Sequence, residues 1–222
     1  VTHLDDSPTS DESQDQTPVV AVLDYSGSQS EEIASALASI AADVYVTTNW
    51  AMCLAADGLI IPGHTSLEQI PAQLKAVRAA EMIDARLLAN KSVLAVGEAF
   101  NIFFDTKIEE NFDNEVLKQW PGVSLKKAEP ALANLLEVDV ASQSKLFNDI
   151  YGEKFFFDNK FQVLEWILDA QGPLTAPKVS WVRSSEKFLA AVENGPLLAT
   201  QFRPEKSGQA GIKLLKNWVE AL

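Results

Sequence analysis

The chain has 222 residues, enough for one domain with a sizeable core or for two very small ones. Hydrophobic residues make up 47% and charged residues 22%, which excludes a largely disordered chain, and no apolar run approaches the ~18 residues of a membrane-spanning helix. The net charge of -13, from 18 Lys+Arg against 31 Asp+Glu, repels phosphate backbones and argues against nucleic-acid binding.

The first 17 residues, VTHLDDSPTSDESQDQT, carry five acidic residues, neither Lys nor Arg, and almost nothing apolar. Such a composition does not bury enough surface to offset ordering entropy. The expectation is a disordered acidic tail over 1–17 and a single domain over 18–222. The tail also lacks the basic start and apolar stretch of a signal peptide. From Val19 the pattern changes. VVAVLDY reads as a buried strand, and Ser26-Gly27-Ser28 as a turn. A helix follows with Ile33, Leu37 and Ile40 on one face, Ser30 as its N-cap, and Glu31 and Glu32 in its first turn. DVYVTT (43–48) is a second strand, 49–56 a short helix, and GLIIPG (58–63) a third strand. Residues 66–90 read as one long helix with Leu67, Ile70, Leu74 and Val77 on a stripe, Pro71 being tolerated near its first turn. SVLAVG (92–97) is a fourth strand that runs straight into a short helix, 98–105. Uniformly apolar strands alternating with helices predict a parallel sheet covered on both faces.

Beyond Val123 the pieces are shorter: VSLKKA, LLEVDVA, KFFFDNKFQVLEW, PKVSWVRS, KFLAAVEN and PLLATQF. Asn194-Gly195 is a hairpin signal, so these pieces predict antiparallel strands added to the parallel sheet. In the closing segment Leu215, Trp218, Val219 and Leu222 form the stripe of a core-facing helix. Trp166, Trp181 and Trp218 read as core or rim, and Glu109-Glu110 as a solvated face.

Residues fit for chemistry are scarce. The single cysteine, Cys53, forms no intramolecular disulfide and reads as a buried structural residue of a reducing, cytoplasmic setting. His3 and His64 are the two histidines, too few for a zinc site, and no cofactor motif is present. The sharp strand-to-helix corner at Val96-Gly97-Glu98-Ala99 has the outline of a nucleophile elbow. An ordinary strand–loop–helix junction with a permissive glycine reads from the same four residues. Glu98 beside the corner and His64 in a facing loop could in principle share acid–base work. A favourable first-turn carboxylate and a solvated loop histidine are the plainer readings.

Four segments together resemble the class I glutamine amidotransferases, and within them the glutaminase subunits of imidazole glycerol phosphate synthase in histidine biosynthesis. They are VAVLDYSGSQSEEIASAL, AADGLIIPGHTSLEQ, SVLAVGEAFNIFFD and TQFRPEKSGQAGIKLLKNW, and the similarity spans Val19 to Leu222. The resemblance implies a Rossmann-like α/β domain with a central, mainly parallel sheet, helices on both faces and added antiparallel strands. It also implies docking on a (β/α)8-barrel cyclase through the surface near Gly63, His64, Gly97 and Pro204 to Ser207. In the segment TQFRPEK, Arg203 and Glu205 alternate along what reads as one strand and could form an ion pair.

Departures from the resemblance fall on its functional positions. The family's nucleophilic cysteine falls on Gly97, its catalytic histidine on Arg203, and its glutamate on Glu205. The glycine after the elbow is Ala99 and the nearby glutamine is Asn101. The stretch that helps hold glutamine aligns loosely with Asp158-Asn159-Lys160, and a further motif poorly with 130–134. Glycine offers no nucleophile, and arginine is no base at neutral pH. The expectation is a catalytically silent relative that acts as a partner or regulatory subunit. The alternatives are a replaced, non-thiol mechanism at the corner, or a small-molecule sensor. The Pro204-Glu205-Lys206-Ser207 run persists for docking through Lys206 or for folding alone, with Ser207 capping the last helix.

Overall fold

The strand–helix alternation of the first hundred residues is present in the computed structural model, which describes residues 17–40, 42–64, 67–107, 117–127, 133–166, 176–184 and 187–222. β1 (Val19–Leu23), β2 (Asp43–Thr47), β3 (Gly58–Gly63) and β4 (Ser92–Gly97) alternate with α1 (Ser30–Ala38), α2 (Trp50–Ala55), α3 (Ile70–Ala76) and α4 (Ala79–Leu88). There follow β5 (Asp105–Lys107), β6 (Val123–Lys126), β7 (Asn134–Asp139), β8 (Lys154–Phe157), β9 (Phe161–Val163), β10 (Lys178–Val182), β11 (Leu189–Asn194), β12 (Leu197–Thr200) and α5 (Gly208–Val219). Nine strands form one sheet in the order β2-β1-β3-β4-β12-β11-β10-β7-β8. The pairings from β2 through β4 to β12 are parallel, and those from β12 outward to β8 are antiparallel. This is the expected α/β architecture, a parallel sheet extended by antiparallel strands.

Side-chain alternation along the strands builds two cores. Ala21, Leu59, Val93 and Ala95 pack with α2, α3 and α4 on one face. Val20, Val22, Ile60, Leu94 and Val96 pack with α1 and α5 on the other. Strands buried on both faces carry no polar side of their own, which is why their sequences are apolar at every position. Phe147, Phe155, Phe157, Phe188 and Phe202 add an aromatic cluster on the α5 face. Cys53 is fully buried, and burial pushes its thiol pKa up. Trp218 is buried, and Trp166 and Trp181 pack half-buried against the core.

Several local readings are corrected. The long helix of 66–90 is two helices, because Arg78 adopts a left-handed φ of 55° and starts α4 on a new phase. After Gly97 the chain forms a 3₁₀ helix, Glu98–Phe103, and Asp105 lies in β5. β5, β6 and β9 make a separate three-stranded sheet that the sequence patterns do not indicate. The two-residue loop of the β11–β12 hairpin is Gly195-Pro196, one residue later than read, with Gly195 at φ 59°. Ser30 does not cap α1; its hydroxyl donates to Asp24 Oδ1 at 2.9 Å, and Gln29 occupies the N-cap position without a side-chain cap. The acidic stretch through residue 16, Thr65, Glu109-Glu110 and residues 130–132 lie outside the described residues. Among the described residues no helix is long and apolar enough to cross a membrane.

Candidate functional site

The corner predicted at Gly97 is a real one. β4 ends there at φ 66°, ψ -137°, a conformation that side-chain-bearing residues adopt only under strain. Parallel pairing places Gly63, the last residue of β3, opposite Gly97. A Cβ built on Gly97 would stand 2.4 Å from the Gly63 carbonyl oxygen and 3.5 Å from Cγ of Arg203. A Cβ on Gly63 would stand 2.0 Å from the Ala99 nitrogen. Two glycines therefore let the ends of β3 and β4 and the start of the 3₁₀ helix close on one another without a side chain between them.

Over this corner lies Arg203, its side chain 3% exposed. Its backbone N–H donates to Phe156 O at 2.9 Å, while the Gly97 N–H donates to Phe202 O at 3.3 Å, so the chain after β12 is tied to β8 and to the corner. Every nitrogen of the guanidinium is engaged. Nε donates to Glu205 Oε1 at 2.6 Å, Nη1 to His64 Nδ1 at 2.6 Å and to Asp158 Oδ2 at 3.4 Å, and Nη2 to Glu32 Oε2. Burial alone would lower the Arg203 pKa; Glu205, Asp158 and Glu32 outweigh it and hold the pKa above the ordinary value. The guanidinium is therefore permanently charged. Burial and then the Arg203 charge lower the pKa of His64 and favour the neutral ring; facing a guanidinium, which only donates, Nδ1 is the accepting nitrogen. Glu205 is pushed up by burial against the pull of Arg203, and its Oε2 is buried without a hydrogen-bond partner.

A second network surrounds Glu98. This carboxyl is 5% exposed and accepts from the Lys160 backbone N–H and from Asn101 Nδ2, the latter at 3.0 Å. Asn101 Oδ1 in turn accepts from Ser124 Oγ at 2.7 Å and Gln201 Nε2 at 3.3 Å. Burial raises the Glu98 pKa to about 7, Asp158 adds to the rise, and the Lys160 N–H, Lys160 and Lys127 oppose it. The loosely aligned Asp158-Asn159-Lys160 stretch does reach the corner: Asp158 contacts Arg203, and Lys160 contacts Glu98.

The structure thus brings Gly63, His64, Gly97, Arg203 and Glu205 together, with Glu98 one residue beyond the corner. Glu98 and His64 belong to different hydrogen-bond networks, so the acid–base pairing considered for them is not formed. The Arg203–Glu205 ion pair exists, but not across a strand. Pro204–Lys206 is a 3₁₀ turn, which folds Glu205 back onto the guanidinium. Lys206 is exposed, its Nζ 3.5 Å from Glu32 Oε2. Ser207 occupies the N-cap of α5 without capping it. Its Oγ donates to Arg203 O at 2.7 Å and accepts from Phe156 N at 2.9 Å. Sequence reading missed Glu32, seen there only as a helix-dipole carboxylate; no local pattern links it to a partner 171 positions away. Among the described residues no group of three or more His, Cys, Asp or Glu side chains is placed to hold a metal ion.

No family model matches the chain. Individual relatives do. The chain is 35% identical over 209 residues to imidazole glycerol phosphate synthase subunit HisH of Leifsonia xyli subsp. xyli, covering 91% of this chain and 98% of the relative. It is 38% identical over 206 residues to the HisH subunit of Nocardia farcinica, again covering 91% and 98%. Among solved structures, PurLQS from Thermotoga maritima superposes with a TM-score of 0.65 at 17% identity, covering 93% of this chain and 99% of that one. A structure described as a glutamine amidotransferase superposes with a TM-score of 0.64 at 14% identity, covering 91% and 99%; these two likenesses show the fold. Full-length similarity to HisH at this level, carried on a glutamine amidotransferase fold, makes the chain a member of the HisH family, the glutamine amidotransferase subunits of imidazole glycerol phosphate synthase.

Proposed function

We propose that this chain is a catalytically silent HisH-type subunit that acts in histidine biosynthesis by docking on a (β/α)8-barrel cyclase. One observation carries the reading. The corner residue is Gly97, and the charged guanidinium of Arg203 occupies the position that the resemblance gives to an imidazole. Thiol-dependent amide hydrolysis needs a thiolate to attack and a base to take and return a proton. Glycine supplies no attacking atom. Arg203, held protonated by three carboxylates, accepts no proton. Cys53 is no substitute, since it is buried between α2 and the sheet with its thiol pKa raised.

Other readings have less support. A carboxylate mechanism would need a partner for Glu98, whose oxygens are taken by Lys160 and Asn101. A small-molecule sensor would need open space at the corner, where the Arg203 side chain already engages Glu32, His64, Asp158 and Glu205. Docking is supported by the Pro204–Ser207 run, whose Lys206 stays exposed beside the corner. Size-exclusion chromatography with a barrel cyclase from the same organism tests it. The two chains should co-elute at micromolar concentration, and Lys206→Glu should weaken the complex by roughly tenfold or more. Separate elution well above micromolar concentration would defeat the docking reading.

A further inference from the structure

The Arg203 side chain joins more of the molecule than an ion pair requires. Its partners come from four separated places: Glu32 from α1, His64 from the end of β3, Asp158 from the turn between β8 and β9, and Glu205 from the 3₁₀ turn that follows it. Its stem lies over a fifth, the Gly97 corner. Three carboxylates and one neutral imidazole aimed at a single point form a socket for a planar, multiply donating cation. A lysine, with one nitrogen, does not reach partners spread around a fork.

We propose that Arg203 is a strap: its guanidinium fills this socket and holds the mouth of the corner shut. Without the cation the socket sets three carboxylates against one another, two of them with side chains less than one-third exposed. Glu205, already pushed up by burial, then takes a proton or stands unpaired, and the β8–β9 turn and the 3₁₀ turn lose the group that joins them. The orphaned Glu205 Oε2 marks the same excess of acceptors over donors. Lys206, 3.5 Å from Glu32, supports the outer rim but does not enter the socket. The strap requires no partner protein, so its failure and the failure of the docking reading are separate results.

Hydrogen exchange on the full chain tests it. Arg203→Met keeps most of the buried stem and removes the charge. Its expected effect is roughly tenfold or faster amide exchange confined to residues 97–103 and 156–161, with α2 and α4 unchanged. Unchanged exchange, or a uniform rise that includes α2 and α4, would overturn the proposal and leave Arg203 as ordinary packing. Arg203→Ala opens the socket to a free cation. Guanidinium chloride at about 10 mM should restore protection in 97–103 and 156–161, where sodium chloride at equal ionic strength does not. Equal effects of the two salts would show that no socket exists. If Arg203→Ala does not fold, the pattern in Arg203→Met decides alone.

Discussion

Gly97 sits at φ 66° with the Gly63 carbonyl 2.4 Å from where a Cβ would stand. A cysteine placed there meets both backbone strain and a backbone atom that no rotamer avoids. The expected cost of Gly97→Cys is about 1–3 kcal/mol, a fall in Tm of several degrees by calorimetry for a chain of this size. An unchanged or raised Tm would mean that the corner opens freely. Pairing Gly97→Cys with Arg203→His should give little turnover, because Asn101 stays committed to Glu98, Ser124 and Gln201. Glu98 makes a prediction about pH. Its carboxyl is raised to about 7 in the folded chain, above the ordinary ~4.3 of an exposed glutamate. The folded state therefore holds the proton more tightly, so the associated stability is complete below about pH 4 and is lost as pH rises through 7. Urea unfolding should show the native chain losing up to roughly 3 kcal/mol between pH 5 and pH 8 relative to Glu98→Gln. Parallel pH curves for the two proteins would contradict the assignment.

At the scale of elements, the end of α2 shows how a charge is accommodated inside the fold. Arg86 on α4 is fully buried, and its hydrogen bonds among the described residues go to backbone carbonyls. Its guanidinium donates to the carbonyls of Cys53, Ala56, Asp57 and Ser92 at 2.6–2.9 Å. Lys91 adds bonds to the carbonyls of Leu54 and Ala55 at 2.9 and 2.7 Å. Together the two cations cap the C-terminus of α2, where the helix dipole favours positive charge, and tie it to the starts of β3 and β4. Burial brings the Arg86 pKa down to about 10, still charged at neutral pH. Arg86→Met should cost roughly 3–5 kcal/mol by urea unfolding, since four carbonyls lose the Arg86 donor and Ala56 alone keeps one from Lys91, and Lys91→Ala about 1. A loss below about 1 kcal/mol for Arg86→Met would show that water replaces it. The sequence carries traces of this arrangement. The stripe Leu67, Ile70, Leu74, Val77 would continue onto Glu81 and Asp84, whereas the buried positions are Ala79, Met82, Ile83 and Arg86. That phase change marks the break at Arg78 and places a charge on an apolar face. β5 left no such trace, because a three-residue strand is too short to show a period; β6 and β9 lie in pieces that read as strands, but nothing local assigns them to a sheet of their own.

The whole molecule was legible where pattern is local and repeated. The doubly covered strands β1, β3 and β4 follow from their apolar runs, whereas β2 is an exposed edge strand; the β11–β12 hairpin follows from its turn residues, with a shift of one position. The corner was legible as a strand running into a glycine. The groups gathered over it were not, because Glu32, His64, Asp158 and Arg203 meet only once the nine-stranded sheet sets their elements side by side. The domain division is a prediction at this scale. The first 17 residues carry charge with few apolar side chains, so deleting residues 1–17 should leave Tm unchanged within error. A drop of several degrees would show that the acidic segment packs.

The central claim concerns chemistry at the corner, and glutamate release from glutamine measures it most directly. The chain should be assayed alone and mixed with a barrel cyclase from the same organism, beside a protein-free control. With Gly97 offering no attacking atom and Arg203 no base, release in both mixtures should equal the control. Release above the control in either mixture would contradict the account, and its disappearance in Glu98→Gln would assign it to that buried carboxyl.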